Sequence, residues 1–94
     1  LLGCIKSDSR ILLIVRAGRG RQQAVKGQVY QLFRAKAILR VENTTEESVE
    51  LIYELTQKLL RRAERLTPDI PDSLYALGEI EYVNLVTQND EVSN

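Results

Sequence analysis

Two prolines three residues apart, Pro68 and Pro71, constrain this chain more than any other feature. Each lacks a backbone N–H and restricts the residue before it, so a helix arriving from the N-terminal side stops there. Before them, Leu59, Leu60, Ala63 and Leu66 recur at three- and four-residue spacing, which sets them on one helical face. After them, Leu74, Leu77, Gly78 and Tyr82 open a new face with the same period. The stretch reads as two antiparallel helices hinged at the prolines, with Ala63 and Gly78 small enough to let them approach closely. The alternative for LTPDIPDSL is the ordinary loop of any helical bundle.

The chain upstream extends this helical reading. In residues 22–41, Val25, Val29, Leu32, Phe33, Ala37 and Val41 fall along one face among good helix formers. Gly27 costs that helix about 1 kcal/mol, and Ile38-Leu39 with Val41 leave a strand over 35–42 as the competitor. Thr44 and Glu47 have the form of a capping box opening a helix over 45–66, with Arg61, Arg62 and Arg65 near its negative end. A last helix is expected over 72–86. Within residues 1–20 a short helix is expected in preference to a strand over 10–18. The run Ile11–Val15 favours a strand by composition, whereas Ser7 to Ser9 and Gly18 could start and stop a short helix, which agrees better with the helices downstream.

The proline seam resembles the junction between two tetratricopeptide repeats, helical hairpins of about 34 residues. Ala63 and Pro68 have the closing spacing, Leu74 stands where a Trp is usual, and Leu77-Gly78 matches the opening pair. Glu81 occupies the expected Tyr position with Tyr82 one residue later, and Thr56 and Leu60 fill the Ala and Phe positions. The first hairpin departs from the pattern, with Phe33 where a Gly is expected. The resemblance implies an all-α fold, antiparallel helical hairpins stacked as an α-solenoid, forming one domain or a fragment of a longer array. It implies a non-enzymatic protein–protein interaction scaffold that holds a peptide or partner helix in a concave groove. The groove would be lined by Tyr30, Arg34, Asp72, Tyr75, Glu79 and Tyr82. Asp72 and Glu79 would repel an acidic tail, so the implied peptide is basic or mixed.

Charge adds a second reading. Residues 1–42 hold nine Lys/Arg against Asp8 and Glu42, a charge of +7, and the remainder holds four against eleven acids, a charge of −7. Such a split implies an interaction surface, and a short repeat fragment with an uncovered face implies self-association. Arg16, Arg19 and Arg21 around an RGR tripeptide, with Lys26 beyond, give the alternative function: a nucleic-acid-binding patch in the basic first third. Catalysis is not expected. The chain has no histidine and one cysteine, Cys4, so the usual Ser-His and Cys-His pairs are missing and no disulfide, cofactor or metal site is expected. The run Ile11–Val15 is too short to span a bilayer, and the expected setting is soluble and intracellular, without a membrane partner.

Overall fold

The computed structural model describes residues 9–88, so Cys4 and the polar C-terminal run lie outside the described residues. The elements in chain order are β1 (Arg10–Gly18), α1 (Gln22–Phe33), β2 (Ile38–Thr44), β3 (Ser48–Thr56), α2 (Gln57–Leu66), α3 (Ile70–Tyr75) and β4 (Ile80–Gln88). The four strands form one antiparallel sheet in the order β2-β3-β1-β4. The all-α expectation is therefore overturned, and the α-solenoid goes with it.

The short helix expected at residues 10–18 is overturned: the stretch is a strand, and a central one. Its side chains alternate: Ile11, Leu13, Val15 and Ala17 are buried, while Leu12, Ile14 and Arg16 turn to the other face and are half-buried. Stiff β-branched side chains suit that pleated, two-sided packing better than a helix.

The expected helix over 45–66 is half strand. In β3 the buried side chains are Val49, Leu51, Tyr53 and Leu55, a period of two. A helix over 45–66 would put Val49 and Ile52 on one face, whereas in the sheet they point to opposite sides. The capping chemistry expected at Thr44 appears one residue on, in a different use. The Thr45 hydroxyl accepts from the Ser48 N–H at 3.0 Å and the Glu47 N–H at 3.3 Å, which turns the β2–β3 hairpin instead of starting a helix. The true N-cap is Thr56, whose hydroxyl accepts from the Leu59 N–H at 3.1 Å.

The expected helix over 22–41 stops at Phe33. Arg34 takes a positive φ of 59° there, its N–H donates to the Tyr30 carbonyl, and the chain leaves through a short 3-10 turn into β2. Arg34, Ala35 and Lys36 are all adequate helix formers, so local preference loses here to pairing of Ile38–Thr44 along β3.

The proline seam breaks the chain as expected and connects different elements. Pro71 lies inside the first turn of α3, where a missing N–H costs nothing, and the Asp69 carboxylate accepts from the Asp72 N–H at 3.0 Å. The helix expected over 72–86 ends at Tyr75. Gly78 does not zip against Ala63, since a Cβ placed on it would meet nothing within 4 Å. Its role is conformational: φ is +89° at Gly78 and 59° at Glu79, a left-handed pair that swings the chain from α3 into β4.

All helices cover one face of the sheet. Val25, Val29 and Phe33 of α1, Ala63 of α2, and Ile70 and Leu74 of α3 close on Leu13, Val15, Leu51, Tyr53 and Val83 in one core. The other face of the sheet carries no element among the described residues.

Candidate functional site: the open face of the sheet

The register lays out the uncovered face residue by residue. One row across the strands is Ile38, Glu54, Leu12 and Val86; the next is Val41, Ile52, Ile14 and Asn84; a third is Asn43, Glu50, Arg16 and Tyr82. The first two rows put six aliphatic side chains side by side. Ile38, Val41 and Val86 are 47%, 43% and 41% exposed, on the two edge strands. Antiparallel sheets with one wet face normally alternate apolar and polar residues, yet β1 runs apolar from Ile11 to Val15 without a break. The continuity arises because Leu12 and Ile14 are as apolar as the core residues on either side of them.

Charged groups bracket the apolar rows. At one end Arg40 Nε donates to Glu54 Oε1 at 2.8 Å and Arg10 Nε lies 3.4 Å from Glu54 Oε2, leaving one surplus positive charge. At the other end Arg16 Nε donates to Glu81 Oε1 at 3.0 Å and Arg16 Nη2 to Ser48 Oγ at 3.1 Å. There the Tyr82 hydroxyl reaches past Arg16 and donates to Glu50 Oε2 at 2.8 Å, leaving one surplus negative charge among Arg16, Glu50 and Glu81. The hydrogen bond to Glu50 holds the Tyr82 phenol above its ordinary range, partial burial and the Glu50 charge add to that, and Arg16 opposes it. Tyr53 is raised too, by burial in the core and by the Glu42 charge. Two bulges aim the bracketing charges: the β2–β3 register shifts between Leu39 and Val41, around Arg40, and the β1–β4 register shifts opposite Glu81.

The six residues expected to line one groove do not share one. Tyr30 and Arg34 do meet, with the guanidinium 5.8 Å from the ring centroid at the end of α1. Asp72 and Tyr75 sit on α3, and the Tyr75 hydroxyl accepts from the Val83 N–H at 2.9 Å. Glu79 lies in the α3–β4 turn, its carbonyl accepting from the Gly18 N–H at 3.0 Å, and Tyr82 is on the open face. With a sheet in place of stacked hairpins there is no concave helical groove, so the scaffold reading built on one is withdrawn.

The nucleic-acid alternative is withdrawn on the same ground of placement. Arg16 is engaged by Glu81 and Ser48, Lys26 Nζ lies 3.1 Å from Glu42 Oε2, and Arg21 donates to the Leu77 carbonyl. Arg19 stands exposed in the 3-10 turn after β1, which leaves no continuous cationic track through these four. The +7/−7 split is spent in part inside the molecule: with β1 between β3 and β4, Arg10 and Arg40 pair with Glu54 and Arg16 with Glu81. Exposed pairs of this kind contribute about 0–1 kcal/mol each. Sequence reasoning missed Leu12, Ile14, Val41, Ile52 and Val86. The unbroken apolar run of β1 was the available signal for the first two.

Among the described residues no group of three or more His, Cys, Asp or Glu side chains could hold a metal ion. No helix among them is long and apolar enough to cross a membrane.

The connection order β-α-β-β-α-β, with each crossover skipping one strand, defines a split βαβ module of the ferredoxin-like class. Comparison with known proteins agrees at the level of fold. The C-terminal domain of the MgtC protein from Mycobacterium tuberculosis, a solution structure, superposes with a TM-score of 0.62 at 11% identity, covering 96% of this chain and 100% of that domain. That likeness replaces the tetratricopeptide resemblance and speaks for the fold alone. No family model matches the chain, and no curated protein matches it.

Proposed function

We propose that this chain is a non-catalytic accessory domain that pairs with a second copy of itself through the open face of its sheet. The observation that carries the reading is the pair of adjoining, mostly aliphatic rows, Ile38, Leu12 and Val86 around Glu54 beside Val41, Ile52 and Ile14 next to Asn84, on a face that none of the described elements covers. Its layout is self-complementary. A two-fold axis running across the strands between these rows lays one row on the other. The same rotation brings the Arg10 end of each copy over the Glu50 and Glu81 end of its partner, opposite surplus charges facing each other.

The size is adequate. Three strands of nine residues and one of seven, four abreast, make a face of at most about 30 by 19 Å, so a pair covers up to about 1,100 Å² in total. That is at the low end for specific interfaces and points to a concentration-dependent dimer. The fold's occurrence as the C-terminal domain of MgtC supports an accessory role.

Sedimentation equilibrium from low micromolar to near-millimolar chain is the test. A monomer–dimer equilibrium is expected. A strict monomer throughout, or a dimer whose Leu12, Ile14 and Ile52 amides stay as solvent-perturbed as in the monomer, refutes the pairing.

A further inference from the structure

On the side of the molecule opposite the open sheet, α2 presents a face that nothing in the fold or in the proposed pairing uses. Lys58, Arg61, Arg62 and Arg65 follow one another at i, i+3, i+4 and i+7, which confines them to an arc of about 100° on the helix. All four are exposed, and none enters an ion pair among the described residues, although other cations of this chain find carboxylates. The four line a shared depression. Arg62 also belongs to an adjoining hollow of about 210 Å³ whose walls are Leu32, Phe33, Leu59, Ala63 and Leu66, with Arg34 and Lys36 on its rim. Leu66, at the end of α2, is 90% exposed, far more than any other large aliphatic side chain of the described chain.

An exposed aliphatic side chain that shares a hollow with Arg34, Lys36 and Arg62, next to the stripe of Lys58, Arg61 and Arg65, suits a ligand that is anionic at its surface and apolar just beneath. We infer that this outer face of α2 docks on an anionic lipid bilayer, with the arginines and lysines among the headgroups and Leu66 entering the acyl boundary. Each part of the arrangement has a use in that setting. Basic residues near a negative leaflet attract additively, and a helix lying in the interface buries its apolar border while its cations snorkel. A nucleic-acid backbone would answer the charges and leave Leu66 and the hollow without a partner. Surface docking is distinct from spanning, and it narrows the expectation of no membrane partner to the absence of a span among the described residues.

The test is co-sedimentation of the full 94-residue chain with vesicles of phosphatidylcholine alone and of phosphatidylcholine with phosphatidylserine, at low and physiological salt. Binding is expected to the serine-lipid vesicles, with little to the neutral ones, and to weaken as salt rises. The double variant Arg61→Gln, Arg65→Gln keeps helix formers at both positions and should lower partition about 25-fold, about fivefold for each charge removed. Leu66→Asn should lower it about tenfold or more. Equal partition to both vesicle types, or no loss in the double variant, overturns the inference. So does an unchanged Leu66→Asn together with equally tight capture by a random DNA duplex, which would leave only non-specific charge. These variants lie on the far side from the open face, so their failure would leave the pairing reading standing.

Discussion

Substituting two neighbouring residues of β3 separates folding from pairing, because Leu51 and Ile52 point to opposite faces of the sheet. Leu51 is fully buried against the helices, and Leu51→Ala should cost about 2–5 kcal/mol of folding free energy. A domain of this size holds roughly 5–14 kcal/mol in all, so that loss should be plain in urea denaturation. Ile52 is half-buried in the centre of the open face, between Val41 and Ile14. Ile52→Lys should leave monomer stability within about 1 kcal/mol. In the pair, however, the two-fold symmetry counts it twice. Losing about 1.5–3 kcal/mol of apolar burial per copy weakens association by about 3–6 kcal/mol, a rise in the dimer dissociation constant of about two to four powers of ten. Urea melts at a concentration where the wild type is monomeric read the first quantity, and sedimentation equilibrium over the range in which the wild type pairs reads the second. The reasoning fails if Ile52→Lys pairs as well as the wild type. It fails equally if Leu51→Ala melts like the wild type, since the period-two assignment of β3 would then be wrong.

The remaining expectations are smaller. Gly78→Ala finds open space but must hold φ near +89°, so it should destabilise by about 1–2 kcal/mol in thermal or urea melts; an unchanged midpoint would show that the α3–β4 turn is built differently. Thr56→Ala removes the hydroxyl that caps α2 and should cost about 0.5–2 kcal/mol, whereas Thr56→Ser should restore most of it. Tyr53 and Tyr82 are both raised, so folding favours their neutral phenols. That contribution is complete below about pH 10, where the unfolded tyrosines begin to ionise, and drains away as pH climbs through the raised folded values. Phenolate absorbance should show a component titrating above the usual phenol range, and Tyr82→Phe should remove part of it. A late component unchanged in Tyr82→Phe would refute the Tyr82–Glu50 contact.

The comparison of sequence with structure is sharpest at three places. At β3, the residues Val49, Leu51, Tyr53 and Leu55 alternate strictly, but Ile52 on the other face fills in a helical spacing as well, so both periods could be drawn through the same letters. Apolar residues on the open face are what blurred the pattern; a polar residue at position 52 would have left only the strand reading. At residues 34–37 the local preference is helical, and no residue nearby announces the positive φ of Arg34 that ends α1. At Thr45 the hydroxyl does the same local chemistry in a hairpin turn that it would do at a helix start.

What the chain's own letters determined is punctuation and local chemistry. The stop before Pro68, a helix carrying Val25, Val29 and Phe33, and the amphipathic run of α2 all follow from short-range rules. What only the tertiary structure decided is which stretches became strands and which residues share a surface. Pairing of β1 with β3 and β4 joins residues far apart in the chain, as when Arg16 meets Glu50 and Tyr82, and no window of neighbouring residues contains that information. The open aliphatic face exists for the same reason: Leu12, Ile14, Val41, Ile52 and Val86 are scattered along the chain, and hydrogen-bonded register alone brings them side by side.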